Sequence, residues 1–294
     1  MRSFLFVPAD SDKKLSKSLT FGADALILDL EDSVVHERKP AAREGAQRFL
    51  TTHRDDARRP FLIVRINARD TGLIPADLEA VIPARPDAIM LPKAEGGGDV
   101  SDLDVELATH EHRHGIAIGH TKILVVATET AKAIFQLGTY AGASARLAGL
   151  TWGAEDLSAA IGAEAKRDAG GQYIEPFRLA RSLCLFGAVA AGAQPIDAVF
   201  PAFQDTQGLR RECEEARRDG FTGKIAIHPA QVETINAVFT PSEAAIKEAR
   251  AVIAAFEANP SAGTVSLEGR MLDMPHLKHA QRLLARVQQL TPPR

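Results

Sequence analysis

The feature that most constrains this chain is an alternation. Short, mainly apolar segments fall at residues 3–7, 25–30, 61–66, 88–91, 122–127, 146–151, 196–200 and 224–227. Between them run longer segments of helical period, at 11–21, 40–51, 74–84, 100–113, 130–140, 155–162, 175–191 and 206–219. A run such as Phe61-Leu62-Ile63-Val64 has no polar face, as expected of a strand covered on both sides. Eight strands alternating with helices over roughly 230 residues have the count and length of a closed parallel barrel. An open doubly wound sheet calls for a glycine-rich phosphate turn after an early strand, and Val7-Pro8-Ala9-Asp10 is not one. The expectation is an α/β chain: a (β/α)8 TIM-type barrel over residues 1–240 and a C-terminal helical extension or lid over 241–294.

The extension has its own punctuation. Ser242 is placed as an N-cap, and Ala245, Ile246, Ala249, Val252, Ile253 and Phe256 follow as one apolar stripe. Asn259-Pro260-Ser261-Ala262-Gly263 breaks that helix. A last helix begins near Pro275, with Leu277, Ala280, Leu283, Leu284 and Val287 on one face. A barrel does not need it, so its stripe must pack on its own barrel, on a neighbour, or over the mouth. Gly96-Gly97-Gly98 reads as a flexible turn after the fourth strand.

Composition narrows the surroundings. A formal net charge of −3 gives no support for a broad nucleic-acid or anionic-membrane surface. The two cysteines, Cys184 and Cys213, lie in helical stretches and make no disulfide framework, so a reducing cytoplasm is expected. The N-terminal apolar run is too short for a signal peptide, and no run approaches the roughly 20 residues that cross a bilayer.

Barrel enzymes place their chemistry where strands end. Here those ends read Asp29-Leu30-Glu31-Asp32, Arg65-Ile66-Asn67, Pro92-Lys93-Ala94-Glu95, Thr128-Glu129-Thr130, Gly153-Ala154-Glu155-Asp156 and His228-Pro229. Carboxylates crowded on one rim repel, so a proton or a cation must compensate. Hard oxygen donors without a Cys or His pair at zinc spacing favour Mg²⁺, which Glu129 and Asp156 would hold.

At these residues the chain resembles the citrate lyase beta-subunit-like family, which includes malyl-CoA and citramalyl-CoA lyases. The resemblance runs nearly end to end. It rests on Phe4-Leu5-Phe6-Val7-Pro8-Ala9, Leu28-Asp29-Leu30-Glu31-Asp32-Ser33-Val34, Val64-Arg65-Ile66-Asn67 and Met90-Leu91-Pro92-Lys93-Ala94-Glu95. It continues through Glu129-Thr130-Ala131, Trp152-Gly153-Ala154-Glu155-Asp156-Leu157, Ile227-His228-Pro229-Ala230-Gln231 and Gly269-Arg270-Met271-Leu272-Asp273-Met274-Pro275.

The resemblance implies a Mg²⁺-dependent lyase for a CoA thioester, assembled as a homotrimer. By position, Glu129 and Asp156 match the metal carboxylates and Arg65 the arginine beside the metal. Lys13 and Lys17 match lysines that meet the CoA phosphates. Phe6 stands where some relatives carry a ligand-contacting tyrosine. Glu31 and Asp32 match partners of metal-bound water. Asp273 matches an aspartate that enters the neighbouring subunit's site. Arg65, Glu129 and Asp273 are thus the catalytic set, with Arg65, Glu129, Lys13, Lys17 and Phe6 meeting the substrate.

The chemistry agrees with those roles. Cleaving a 3-hydroxyacyl thioester between C2 and C3 gives an α-keto acid and a thioester enolate. Arg65 can stabilise the enolate oxygen and Asp273 can protonate the enolate carbon. The expected substrate is (S)-citramalyl-CoA or malyl-CoA, since one methyl group is worth only about 1–3 kcal/mol in a pocket.

Plainer readings stand beside these. Glu31, Asp32, Glu129 and Asp156 also suit helix caps and first turns. Lys93 would be the nucleophile of a Schiff-base aldolase, or else a lysine paired with rim acids that hold its pKa high. A subunit of an acyl-carrier-protein citrate lyase complex is a further alternative. His110, His112 and His114 read as a solvated stretch spread around a helix, His228 as a structural hydrogen-bonder, and Trp152 and Phe203 as packing.

Overall fold

A computed structural model describes residues 1–290, and in it the eight apolar segments close in chain order into one parallel barrel. The strands are β1 (Ser3–Pro8), β2 (Ala25–Asp29), β3 (Phe61–Arg65), β4 (Ala88–Leu91), β5 (Lys122–Val126), β6 (Leu147–Thr151), β7 (Gln194–Asp197) and β8 (Gly223–Ala226). Pairing of Phe4 with Ile225 closes the ring between β1 and β8. Leu26, Ile27, Leu28, Ile63, Val64, Ile89 and Val125 are fully buried, the expected fate of runs covered on both faces.

The helices of this unit are α1 (Asp12–Ser18), α2 (Lys39–His53), α3 (Ile74–Val81), α4 (Gly97–Arg113), α5 (Ala131–Ile134), α6 (Ala154–Ile161), α7 (Glu175–Ala190) and α8 (Thr206–Asp219). Within the eight strand–helix repeats, three segments depart from the sequence expectation, and α9 (Val232–Phe239) has no counterpart in it. The seventh strand ends at Asp197 rather than Phe200, because β8 offers partners only to Ile196 and Asp197, and Pro201 beyond has no N–H to donate. The helix expected at 130–140 is the single turn α5, capped by Thr130 Oγ1, followed by a 3-10 turn at Leu137–Tyr140. Gly96-Gly97-Gly98 opens α4 instead of forming a loose turn, with Gly97 N–H donating to Thr139 Oγ1 at 2.8 Å.

Both cysteines are free and buried, Cys184 in α7 and Cys213 in α8. Burial pushes the Cys213 thiol up to about 12. No helix among the described residues is long and apolar enough to cross a membrane.

The chain divides inside α9 (Val232–Phe239), into a unit of Arg2–Asn236 and a second that begins at Ala237. The second unit holds α10 (Glu243–Glu257), β9 (Thr264–Leu267), β10 (Arg270–Asp273) and α11 (Met274–Leu290). Ser242 caps α10 as expected, accepting from Ala245 N–H at 3.2 Å. The two apolar stripes find each other: Ala249, Val252 and Phe256 of α10 cluster with Ala280 of α11 and with Val265 and Leu272 of the hairpin. Leu277, Leu283 and Leu284 pack against that cluster.

The hairpin is absent from the sequence reading. Its turn residues, Glu268 and Gly269, have φ of 51° and 76°, the paired positive values that a two-residue hairpin turn needs. Gly269 is therefore a turn residue.

Candidate active site

The site is built from the outgoing ends of the strands. Asp29 and Arg65 are the last residues of β2 and β3, and the parallel register sets them side by side. Their geometry is fork to fork: Arg65 Nε donates to Asp29 Oδ1 and Nη2 to Oδ2, both at 2.7 Å. Such a pair fixes the guanidinium plane as well as its position. Asp29 also accepts from the backbone N–H of Glu31 at 2.9 Å and of Ser33 at 3.1 Å, folding the loop after β2 around itself. Burial opposes the Asp29 charge, but Arg65 outweighs it and holds the carboxyl below its usual range. The Arg65 guanidinium lies 4.5 Å from the centre of the Phe6 ring.

From that clamp the charges run outward. Arg65 Nη1 is 2.8 Å from Glu31 Oε2, and Glu31 Oε1 meets Lys93 Nζ at 2.5 Å. Lys93 Nζ lies 3.4 Å from Asp156 and 3.6 Å from Asp32. Burial works against the Lys93 ammonium, yet Glu31, with Glu129 and Asp156, holds its pKa above that of an ordinary lysine. A Schiff-base nucleophile needs the opposite shift. Lys93 also has a φ of 51°, costly for a residue with a Cβ, and its backbone N–H donates to Glu129 Oε2 at 2.6 Å.

Glu129 is the most stressed group of the cluster. It is only 5% exposed, and burial, with the Asp156 and Glu31 carboxylates adding to it, pushes its carboxyl up to about 8. Gly153 makes room for it: a Cβ there would stand 2.9 Å from Glu129 Cγ and 3.3 Å from Oε1. Thr128 Oγ1 accepts from Gly153 N–H at 3.0 Å, which fixes that approach.

Five carboxylates, Asp29, Glu31, Asp32, Glu129 and Asp156, thus share two cationic side chains, Arg65 and Lys93. The surplus negative charge and all-oxygen donors of Glu129 and Asp156 fit a hard cation. Asp156 also lies in the first turn of α6, so the helix N-terminus supports the same charge.

The structure brings Phe6, Glu31, Asp32, Arg65, Glu129 and Asp156 together, all proposed from sequence, and adds Asp29, Lys93 and Gly153 as their holders. Asp29 was legible only as part of a motif; its signal is that it ends a strand next to one ending in arginine. Lys13 and Lys17 are exposed on α1, at the outgoing end of β1. Asp273 lies in the second unit, where its Oδ1 is 2.5 Å from His276 Nδ1. His228 has a local role, its Nδ1 accepting from Ala230 N–H at 3.2 Å. Phe203 is not core packing: it is 41% exposed and stacks on His228 at 4.5 Å.

A (β/α)8 barrel with a clamped arginine and an acid-rich rim at its outgoing strand ends defines an enzyme that handles a charged, oxygen-bearing ligand. The chain belongs to the HpcH/HpaI aldolase/citrate lyase family, whose match spans residues 2–229. It is 37% identical over 293 residues to a (3S)-malyl-CoA thioesterase of Cereibacter sphaeroides, covering 98% of this chain and 94% of the relative. It is 34% identical over 299 residues to the mitochondrial citramalyl-CoA lyase of Rattus norvegicus, covering 96% and 85%. Among solved structures it resembles the protein CitE of Mycobacterium tuberculosis in complex with magnesium, acetoacetate and coenzyme A. That match has a TM-score of 0.76 and 34% identity, over 97% of each chain.

Proposed function

We propose that this chain is a Mg²⁺-dependent carbon–carbon lyase for the CoA thioester of a hydroxy-dicarboxylic acid. The substrate is (S)-citramalyl-CoA, giving acetyl-CoA and pyruvate, or malyl-CoA, giving acetyl-CoA and glyoxylate. The observation that carries the reading is the surplus of carboxylates centred on Glu129, beside an arginine whose plane is already fixed. The magnesium of the CitE complex supports the choice of ion, and the CoA relatives support the thioester.

Mg²⁺ held by Glu129 and Asp156 would polarise the hydroxyl and carboxylate of the substrate. The residues of the chain do the rest. Arg65 commits part of its donor fork to Asp29 and presents its remaining N–H groups to the enolate oxygen as negative charge develops there. As the C2–C3 bond breaks, the hydroxyl proton passes to a rim carboxylate and the bonding pair moves into the thioester enolate. Lys13 and Lys17 meet the phosphates of CoA, and the Phe6 ring supports the guanidinium.

Glu129→Gln and Asp156→Asn test this reading. Each should abolish cleavage, followed by mass spectrometry of a CoA-thioester panel, and leave the circular dichroism spectrum intact. Full activity of either variant in chelator-treated buffer would sink the metal assignment. The Cereibacter relatives favour a second reading, hydrolysis of the thioester. Free CoA with malate, in place of acetyl-CoA with a keto acid, identifies it.

In this reading residues 241–294 act as a lid in a homotrimer, and Asp273 protonates the enolate carbon in a neighbouring subunit. Its closeness to His276 gives that carboxyl a proton partner. The check is to mix Asp273→Asn and Glu129→Gln chains, each inactive alone, and reassemble them. Action across the interface restores activity in sites that pair an intact Glu129 with an intact Asp273. Action within one chain leaves every site defective.

A further inference from the structure

On the barrel's outer layer, α3 and α4 run back toward the incoming ends of the strands. Glu79 lies in the last turn of α3, His110 in the last turn of α4, and His114 is its C-terminal cap. Four residues apart on a helix is one face, so His110 and His114 meet. The reading that spread the histidines around the helix holds for His112, which is exposed. One ligand atom of each of Glu79, His110 and His114 lies within 4.8 Å of the others.

Two details separate this cluster from polar side chains that simply face water. Nδ1 of His110 and Nε2 of His114 are buried, and neither has a hydrogen-bond partner among the described residues. The carboxylate nearest to His110 Nδ1, Glu79 Oε2, stands 3.6 Å away, too far for a hydrogen bond and suited to a shared atom between them. Buried polar atoms without partners are rare and call for an explanation such as a bound ion. Glu79 is 57% exposed, which gives the site a solvent entrance, and it accepts from Arg113 Nη1 at 2.8 Å, so a bound ion would share that carboxylate with Arg113 or displace it. Burial lowers the His110 pKa, which keeps a lone pair available.

We propose that Glu79, His110 and His114 form a second cation site, for a borderline divalent transition ion such as Zn²⁺. Two imidazole nitrogens and one carboxylate with an open position are the donors such an ion takes, and they differ in kind from the all-oxygen rim. The ion would clip α3 to the end of α4. That face of a barrel serves stability rather than chemistry.

The experiment uses the full chain, stripped with chelator and held in excess Mg²⁺ so that the rim is not the site read. Co²⁺ is titrated by its visible absorption, and Zn²⁺ by thermal melting and by histidine side-chain ¹⁵N resonances. One equivalent should bind, raise the melting temperature and shift the His110 and His114 resonances. His114→Gln, His110→Gln and Glu79→Gln should each weaken it by about tenfold or more, while His112→Gln and Glu129→Gln bind as the parent does. The Glu129 control separates this site from the rim, so its result stands whether or not the lyase reading does. The proposal is overturned if the parent binds no Co²⁺ or Zn²⁺ at micromolar concentration. It is equally overturned if His110→Gln and His114→Gln bind unchanged.

Discussion

Two of the buried charge clusters in this barrel differ in how their charges are matched. Beneath α7 and α8, Lys224 and Asp197 are both fully buried and 2.6 Å apart. Glu212 lies 2.8 Å from Lys224 and 2.7 Å from Arg167. Arg181 stands 3.3 Å from Asp197 and 2.6 Å from Asp219, and Trp152 Nε1 donates to Asp197 at 2.7 Å. Three acids meet three bases, and the exposed Arg218 lies a further 3.5 Å from Asp219, so no acid lacks a base. Burial opposes both charges of the central pair, yet Asp197 is held below its usual range by Lys224 and Arg181, and Lys224 above its own by Asp197 and Glu212. At the rim, acids outnumber bases, and Glu129, buried with no side-chain cation of the described residues in direct contact, is driven up to about 8. Burial of charge is common to both. In the function proposed above, the surplus at the rim is what the cation would neutralise.

The comparison breaks most visibly at Lys224. Lys224→Met would leave Asp197 buried without its nearest cation, and the expected loss is about 3–5 kcal/mol of stability. Urea unfolding measures it. Replacing Asp197 by Leu in the same chain should recover most of that loss, because a pair replaced by apolar groups costs far less than a pair cut in half. At the rim the order reverses: Glu129→Gln in chelated protein should cost nothing or stabilise, since Glu129 must take up a proton to fold at neutral pH and Gln need not. A stable Lys224→Met protein beside an unstable Glu129→Gln one would reverse the assignment of the two clusters.

Arg65 comes next. Arg65→Lys keeps one charge but loses the fork that Asp29 grips at two points. The expected loss is on the order of 10²-fold in kcat, about 2.7 kcal/mol, as for removal of an oxyanion donor. A normal kcat with a raised KM would assign the residue to binding that ground and transition states share.

The barrel was legible because its signal is repeated eight times and each strand needs only to be apolar and short. The clamp was harder. Asp29 and Arg65 stand far apart in sequence, and nothing local says they end neighbouring strands in the same register. Lys224 and Asp197 left a fainter trace, a charged residue within each of two otherwise apolar strand segments, which only tertiary partners explain. Lys93 adopts a left-handed conformation that no side-chain preference announces. The β9–β10 hairpin was hidden because Glu268-Gly269 is not one of the usual turn pairs, and its strands are four residues each. The α10 and α11 stripes are legible as stripes, but which surfaces they meet is a property of the folded chain.

The smallest effect tests the imbalance itself. An unfolded glutamate gives up its proton near the ordinary value of 4.5, whereas folded, metal-free Glu129 holds it to about 8. Between those values the folded state binds more protons than the unfolded one, so stability falls as pH rises. The contribution is complete below 4.5 and is lost on passing through 8. The slope is at most about 1.4 kcal/mol per pH unit, so the chelated protein should lose about 1–2 kcal/mol between pH 6 and 7.5. That is a few degrees in melting temperature for a chain of this size. Histidines titrate in the same window, which makes the useful quantity the difference between the parent and Glu129→Gln. Saturating Mg²⁺ should remove the difference in slope, because a cation takes the place of the proton, and calorimetry in buffers of different ionisation enthalpy should find close to one proton released per ion at pH 7. If the parent and Glu129→Gln respond identically to pH without metal, the surplus charge at the rim is carried by other groups, and the contrast with the balanced cluster loses its centre.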